Sequence, residues 1–516
     1  MTAVLRRRAS FALVAALGFV LSLNPSPPTA RADTISASVS GSPAGQTMPP
    51  GFVGVSFEYR ALHQYTGRNP LAIDPVLLKL VAGLVPGQSP IIRVGGDSTD
   101  GTWWPQRGVI PPGGIYYPLT QGWLRTTQAL ARDLNAKLIL GINLAAGRPG
   151  IAAAEGRAFL GGIGRRYIDA LEIGNEPDLY GVFPWYTDRR GHSRRARGRG
   201  YNLAAYTKQF TEWSRALPHV ALAGPATSGP AWMGGLKRFE AAEPGLKLVT
   251  YHRYPLRACV TDPSATAYPS ITNLLADGSS AGLAAPLAAY ARVAHARHVP
   301  FRIAEMNSAS CQGAKGVSDT FASALWALDT MFNFAAVGVD GVNFHMLPGS
   351  NYELFTISHT ASGAWQAFVH PEYYGLMLFA QAFPPGARLL PVTGVGGTGN
   401  PVKMWATLGP DGTERVTVIN QDTLNGHDVQ VSVPGAARLG SVEALTGPSV
   451  SSTDGVTLGG QSFGDETTTG TLPAAPGTQP VAPVGGSYTL SLAPGSAELL
   501  TIPPAPPPSG GGGGGL

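Results

Sequence analysis

Eight short apolar, β-branched runs, separated by stretches of helical length, most narrow the folds open to this chain. They are Phe52–Tyr59, Ile91–Gly95, Lys137–Leu144, Ile168–Ile173, Val220–Ala223, Leu246–Tyr254, Phe301–Ala304 and Val339–Phe344. Between most of them lie helix-like segments such as Trp123–Asn135, Tyr206–Ala216, Ala284–Arg297 and Thr320–Ala335. Eight strand–helix alternations fit a (β/α)8 TIM barrel, although a doubly wound open sheet alternates in the same way. The barrel is favoured because polar residues crowd the carboxyl ends of nearly all the runs, where a barrel builds its active site. The fold class expected is therefore α/β, with the barrel over residues 51–380.

After Gln381 the helical periodicity stops. Short alternating strands, among them Val402–Leu408, Glu414–Ile419, Val429–Val433 and Glu498–Ile502, sit between Gly, Pro, Asn and Asp turns. That is the pattern of a β-sandwich, here over residues 381–503. The alternating segment Thr34–Ser42, within residues 33–50, precedes the barrel and is expected to add a strand to that sandwich. Residues 504–516 run from Pro-rich to Gly-rich and have no means of burying a core. The stretch Gly394-Val395-Gly396-Gly397-Thr398-Gly399 matches the dinucleotide pattern GxGxxG, but Pro401 follows and no helix opens, so it reads as a β-turn.

Two carboxylates stand where chemistry is expected. The fourth run ends in Leu171-Glu172-Ile173-Gly174-Asn175-Glu176-Pro177, and the seventh in Phe301-Arg302-Ile303-Ala304-Glu305-Met306-Asn307. A carboxylate at the barrel mouth costs free energy unless it is used or paired. Either Glu alone is as well explained by a helix cap or an ion pair with a barrel Arg. Both together, on the fourth and seventh of eight strands, point to glycoside hydrolysis, which needs two carboxyls flanking the scissile bond. Asn175 is placed to bond a sugar hydroxyl while Glu176 acts as acid.

These residues resemble glycoside hydrolase family 79, which includes bacterial β-glucuronidases and heparanase. The resemblance spans residues 35–503 and rests on Gly54-Val55-Ser56-Phe57-Glu58-Tyr59, Arg93-Val94-Gly95-Gly96-Asp97-Ser98-Thr99-Asp100, the two Glu segments and the trailing β-domain. It implies a retaining mechanism, with Glu176 as acid/base and Glu305 as nucleophile. It also implies that His252 and Tyr254, closing the sixth run, face the site, with Tyr254 holding the nucleophile. Asp100 and Glu58 match sugar-ligand positions, each with a structural alternative. Asn343 and His345 lead to a loop whose Tyr352 resembles a family Tyr on the substrate carboxylate. The Trp103-Trp104 pair reads as loop packing ahead of a sugar platform. The chain departs from the family in Asn307-Ser308-Ala309-Ser310-Cys311-Gln312-Gly313, where Ser310 replaces the Tyr expected to contact a glucuronate carboxylate. That departure keeps neutral β-glucosides and disaccharide glycosides open as substrates beside β-glucuronides. A non-catalytic glycan-binding cell-wall protein is the reading from another class.

Cys259 and Cys311 follow adjacent strands, so both thiols fall on neighbouring mouth loops and a disulfide is expected. With only two cysteines and no HExxH, P-loop or GxSxG, the chain offers no metal site and calls for no cofactor. Residues 1–32 read as a secretory leader: Arg6 to Arg8, an apolar stretch from Phe11 to Leu23, then Ala30-Arg31-Ala32. An ordinary export signal is preferred over a twin-arginine address, and the apolar stretch is too short to span a bilayer. The formal net charge is +5, from 37 basic and 32 acidic residues, and the leader carries four of those basic residues. Six more Arg lie within residues 189–199, and without them the remainder is acidic. A general nucleic-acid-binding reading thus has no footing. The expected partner of this exported chain is a carbohydrate, with an acidic glycan among the candidates.

Overall fold

The computed structural model describes residues 32–395, 399–434, 436–473 and 477–504. All but the last residue of the leader, the centre of the GxGxxG turn and the tail beyond residue 504 lie outside the described residues. Eight parallel strands close a barrel: β1 (Val53–Glu58), β2 (Ile91–Gly95), β3 (Lys137–Ile142), β4 (Ile168–Ile173), β5 (Leu222–Thr227), β6 (Leu246–Arg253), β7 (Phe301–Met306) and β8 (Gly341–Met346). β8 pairs with β1 and so removes both edges. β1, β5, β7 and β8 are buried at every position, as expected of strands covered on both faces.

The helices between strands start at side-chain caps. Thr120 accepts from the Trp123 N–H to open Gln121–Asp133, and Asn202 accepts from the Ala205 N–H to open Leu203–Ala216. Two sequence expectations are corrected. The helix expected over Ala284–Arg297 is two helices, Ala281–Ala284 and Leu287–His295, parted at Pro286, which has no N–H to continue the first. The strand expected to stop at Ala223 runs on to Thr227, through a Gly224-Pro225 pair that reads in sequence as a breaker.

Beyond the barrel two antiparallel-rich sheets face each other. One orders Val392–Thr393, Ala32–Val39, His427–Ser432 and Ser487–Leu492; the other holds Val402–Leu408, Glu414–Asn420, Ser496–Ile502 and Gly440–Thr446. Val402, Val418, Val429, Val431, Leu490 and Leu500 fill the space between them. The first strand, Ala32–Val39, pairs parallel with His427–Ser432. The larger sheet is fastened to the barrel by Trp405, which stacks on Phe332 at 5.4 Å and donates its indole N–H to Asp329 at 2.9 Å. Among the described residues no helix is long and apolar enough to cross a membrane.

Candidate active site

At the carboxyl ends of the strands a cavity of about 440 Å³ collects a dense cluster of ionisable side chains. A larger hollow of about 820 Å³ lies between the barrel helices and the β-sheets, lined by Ala281, Leu390 and Met404, away from the paired carboxyls. Glu176 sits just past β4 in left-handed backbone, with φ 46° and ψ 51°. That conformation is unfavourable for a residue with a Cβ. It is held by the Glu176 N–H, which donates to Ala226 O at 2.8 Å, and the turn aims the carboxyl into the mouth. Glu305 needs no such turn, because it is an inward position of β7.

The two acids have opposite surroundings. Glu305 accepts from Arg93 Nη1 at 2.6 Å and from the Tyr254 hydroxyl at 2.9 Å. His252 and His345 each come within 3.9 Å of it. Burial alone would raise its pKa, but His345, His252 and Arg93 outweigh burial and hold the carboxyl far below the usual range. Glu176 has only His252, with Nδ1 at 3.1 Å from Oε1. Burial and the nearby Glu305 raise its pKa despite that contact. One carboxylate oxygen of Glu176, one of Glu305 and a ring nitrogen of His252 all lie within 4.8 Å of one another.

Arg93 organises the floor. It is fully buried on β2 and donates Nε to Glu172 at 2.6 Å, Nη1 to Glu305 and Ser56, and Nη2 to the Asn175 amide oxygen at 2.9 Å. One guanidinium fork therefore sets both the nucleophile candidate and the residue before the acid candidate. Sequence reading quoted Arg93 only inside a motif. The signal was available, since an Arg in a run buried on both faces demands acidic partners.

Of the other expected site residues, Glu58, His252, Tyr254, Ser310, His345 and Tyr352 line the cavity. Glu58 accepts the N–H groups of Asp97 and Ser98 and lies 3.7 Å from His345 Nε2. Gly96, at φ 72°, lets the chain pass there, because a Cβ would strike the Glu58 carboxylate. Asn175 lies behind the wall, its amide oxygen taken by Arg93 and its N–H facing Asp97 at 3.3 Å. Asn343 is lower in the barrel, holding Arg302 at 2.6 Å.

Asp100 is a correction. Its carboxylate does not reach the cavity; it accepts from the Tyr180 hydroxyl at 2.7 Å and the Ala145 N–H at 3.3 Å. Burial pushes it up to about 7. The mouth position belongs to Asp97, three residues earlier, which lines the cavity. Its carboxyl is reachable from the cavity yet closely surrounded, and burial, then Glu58, Glu176 and Glu305, push it up to about 8. Trp103 packs with Ala146 and Ile151 in a small cluster away from the acids.

Cys259 and Cys311 form a disulfide with Cα atoms 5.9 Å apart, on the cavity wall. It closes a loop of 52 residues, so replacing both cysteines by Ser is expected to cost about 4 kcal/mol in the chain-entropy limit. A fall in the urea midpoint on reduction or replacement is the check; an unmoved midpoint would show that the wall holds itself. The Arg-rich segment is a hairpin, Tyr186–Thr187 with Ser193–Arg194, pinned by Asp188 on Arg194 at 2.8 Å. Arg197 is its inward member, donating to Leu144 O and Ala145 O; the other five Arg are exposed.

Residues 404–499 match the glycosyl hydrolase family 79 C-terminal beta domain. A beta-glucuronidase of Neurospora crassa is 26% identical over 380 residues, which make up 65% of this chain and 63% of that protein. The trailing β-domain is thus of the family 79 kind. Among solved structures, the chain overlays a 4-O-alpha-L-rhamnosyl-beta-D-glucuronidase from Fusarium oxysporum 12S with a TM-score of 0.71 and 19% identity, covering 91% of this chain and 100% of that one. It overlays a GH51 arabinofuranosidase from Xanthomonas axonopodis pv. citri with a TM-score of 0.63 and 15% identity, covering 91% and 99%. Both likenesses concern the fold.

Proposed function

We propose that this chain is a member of glycoside hydrolase family 79 and an exported retaining β-glycosidase of β-glucuronidase type, with Glu305 as nucleophile and Glu176 as acid/base. The observation that carries the reading is the separation of the two acids. Retaining enzymes hold their carboxyls about 5–5.5 Å apart, whereas inverting ones leave room for a water at about 6.5–9.5 Å. Oxygens of Glu176 and Glu305 approach within 4.8 Å. In the first step Glu305 attacks the anomeric carbon while Glu176 gives its proton to the leaving oxygen. In the second, Glu176 takes a proton from water, which displaces Glu305 from the sugar. Export is supported by the leader-like residues 1–32 and by a disulfide, a bond that persists in oxidising compartments.

The split environments fix a pH dependence. Glu176 must be protonated, and its raised pKa means that activity is lost as pH rises through a value above 4.5. Glu305 must be ionised, and its depressed pKa means that activity is lost only as pH falls below the ordinary carboxylate range. The kcat/KM profile is therefore expected to stay level down to about pH 4 and to fall on the alkaline side. Glu176→Gln, assayed on an aryl glycoside with an activated leaving group, should lack the alkaline limb of the bond-breaking step. An acid limb near pH 5 in the unaltered chain would contradict the role given to Glu305. Hydrolysis of aryl β-glucuronide beside aryl β-glucoside, with the anomer of the first product read by NMR, tests the activity itself; an α-anomer would reject retention.

A further inference from the structure

The cavity lining mixes two chemistries. Part of it is acidic, with Glu58, Asp97, Glu176 and Glu305 ready to meet sugar hydroxyls. The same lining also offers donors: the Arg257 guanidinium, the Ser310 hydroxyl, the Gln312 amide and the Tyr352 hydroxyl. Within the described residues none of these four side-chain groups is engaged in a hydrogen bond or ion pair. A cation and three donors left unspent in one lining describe the complement of an anion, not of a hydroxymethyl group.

The placement of Arg257 is built into the backbone. After β6 the chain forms a two-residue strand, Leu256–Arg257, parallel to Ala309–Ser310 beyond β7. Leu256 faces Ala309, both fully buried, and Arg257 faces Ser310. Neighbouring residues of a strand point to opposite sides, so burying the first pair turns the second toward the cavity. The Ala258 N–H donates to Ser310 O at 3.0 Å, and the Arg257 N–H donates to Ala267 O at 2.9 Å. Cys259 and Cys311 are joined immediately beyond. Two loops are thus locked in register, with a guanidinium and a hydroxyl side by side.

Resting on the glycosidase reading above, we infer that Arg257 is the residue that makes this site prefer a uronic acid, by pairing with the sugar carboxylate beside Ser310. Ser310 alone has a short reach, and Arg257 supplies both charge and length. Two other guanidiniums line the cavity, Arg60 and Arg253; Arg253 stands in register with Met306 on the barrel strand, and only Arg257 of the three is paired with Ser310.

The test measures kcat/KM for aryl β-glucuronide and aryl β-glucoside in the full chain and in Arg257→Gln, Arg257→Lys, Arg60→Gln and Arg253→Gln. In Arg257→Gln the glucuronide-to-glucoside ratio is expected to fall ~10- to 100-fold, the span of one charge-assisted hydrogen bond, chiefly through KM for the glucuronide. Arg257→Lys should recover part of the ratio, and added salt should raise the glucuronide KM in the unaltered chain. A ratio that stays put in Arg257→Gln, or that falls instead in Arg60→Gln or Arg253→Gln, overturns the inference. If the unaltered chain cleaves neither substrate, the glycosidase reading fails, yet Arg257 can still be judged. Glucuronate should protect Glu305→Gln against thermal unfolding better than glucose does, and adding Arg257→Gln should abolish the difference. Equal protection by the two sugars in Glu305→Gln would overturn the inference independently of turnover.

Discussion

Glu305→Gly is expected to lower kcat on aryl glycosides by ~10⁵-fold or more, as removal of a covalent nucleophile does elsewhere. Sodium azide should then restore turnover and give the α-glycosyl azide, because the small anion enters from the face that the carboxylate vacated. Glu176→Ala is expected to behave differently. With a poor leaving group the loss should be ~10²–10⁴-fold, the range of general acid catalysis. With a dinitrophenyl leaving group bond breaking needs little proton assistance, so the glycosyl-enzyme should accumulate and azide should yield the β-glycosyl azide. The two products, resolved by NMR, assign the roles separately. If both variants lose the same factor on every leaving group and azide rescues neither, the pair does not divide the work as Glu305 and Glu176 are proposed to. Circular dichroism of both variants guards against a folding defect, which matters for Glu305 because it is one of the anchors of Arg93.

The second large effect concerns Arg93 itself. Arg93→Met should lower the unfolding free energy by about 3–5 kcal/mol, the usual cost of removing one partner from a buried ion pair. Glu172, fully buried, would be left with no cation. Activity should fall as well, since the Asn175 oxygen and the Glu305 carboxylate lose their common donor. With Arg93 gone, burial would act on Glu305 less opposed, and the acid limb of the pH profile should move to higher pH. Combining Arg93→Met with Glu172→Leu should return much of the stability, because an absent pair costs less than a broken one, while leaving activity low. A double variant as inactive and as unstable as Arg93→Met would argue that the residues act through packing alone.

Much of the barrel was legible because its strands, covered on both faces, are continuous apolar runs, and because acids at the ends of two such runs have few structural excuses. The parts that were not legible share a physical reason: they depend on geometry at the scale of one turn. Asp97 and Asp100 occupy the same short 3-10 turn, Asp97–Gly101, in which residues three apart stack over one another. Which of them faces the mouth and which the Tyr180 hydroxyl is decided by how the turn leaves β2, and spacing alone carries no trace of that. Arg257 was invisible for a related reason. A bridge of two residues has no periodicity, and its partner lies 53 positions away at Ser310. The broken helix at Pro286 was the opposite case, a local signal overruled by reading the apolar pattern straight through it.

The pairing of Ala32–Val39 with His427–Ser432 bears on how the molecule is made. About 390 residues separate the two strands, and at ~5–20 residues per second that is a delay of ~20–80 s between the synthesis of one and of the other. All eight barrel strands leave the ribosome in that interval. The earliest strand emerges with Ala37 and Val39 unpaired and waits for a mate from the far end of the chain. The sheet that holds Ala32–Val39 therefore cannot close until its late strands have been made. Slow, long-range closure of this kind favours assembly after the whole polypeptide has been released. An N-terminal fusion that restrains residues 32–39 would then hinder closure of the sheet they share with His427–Ser432.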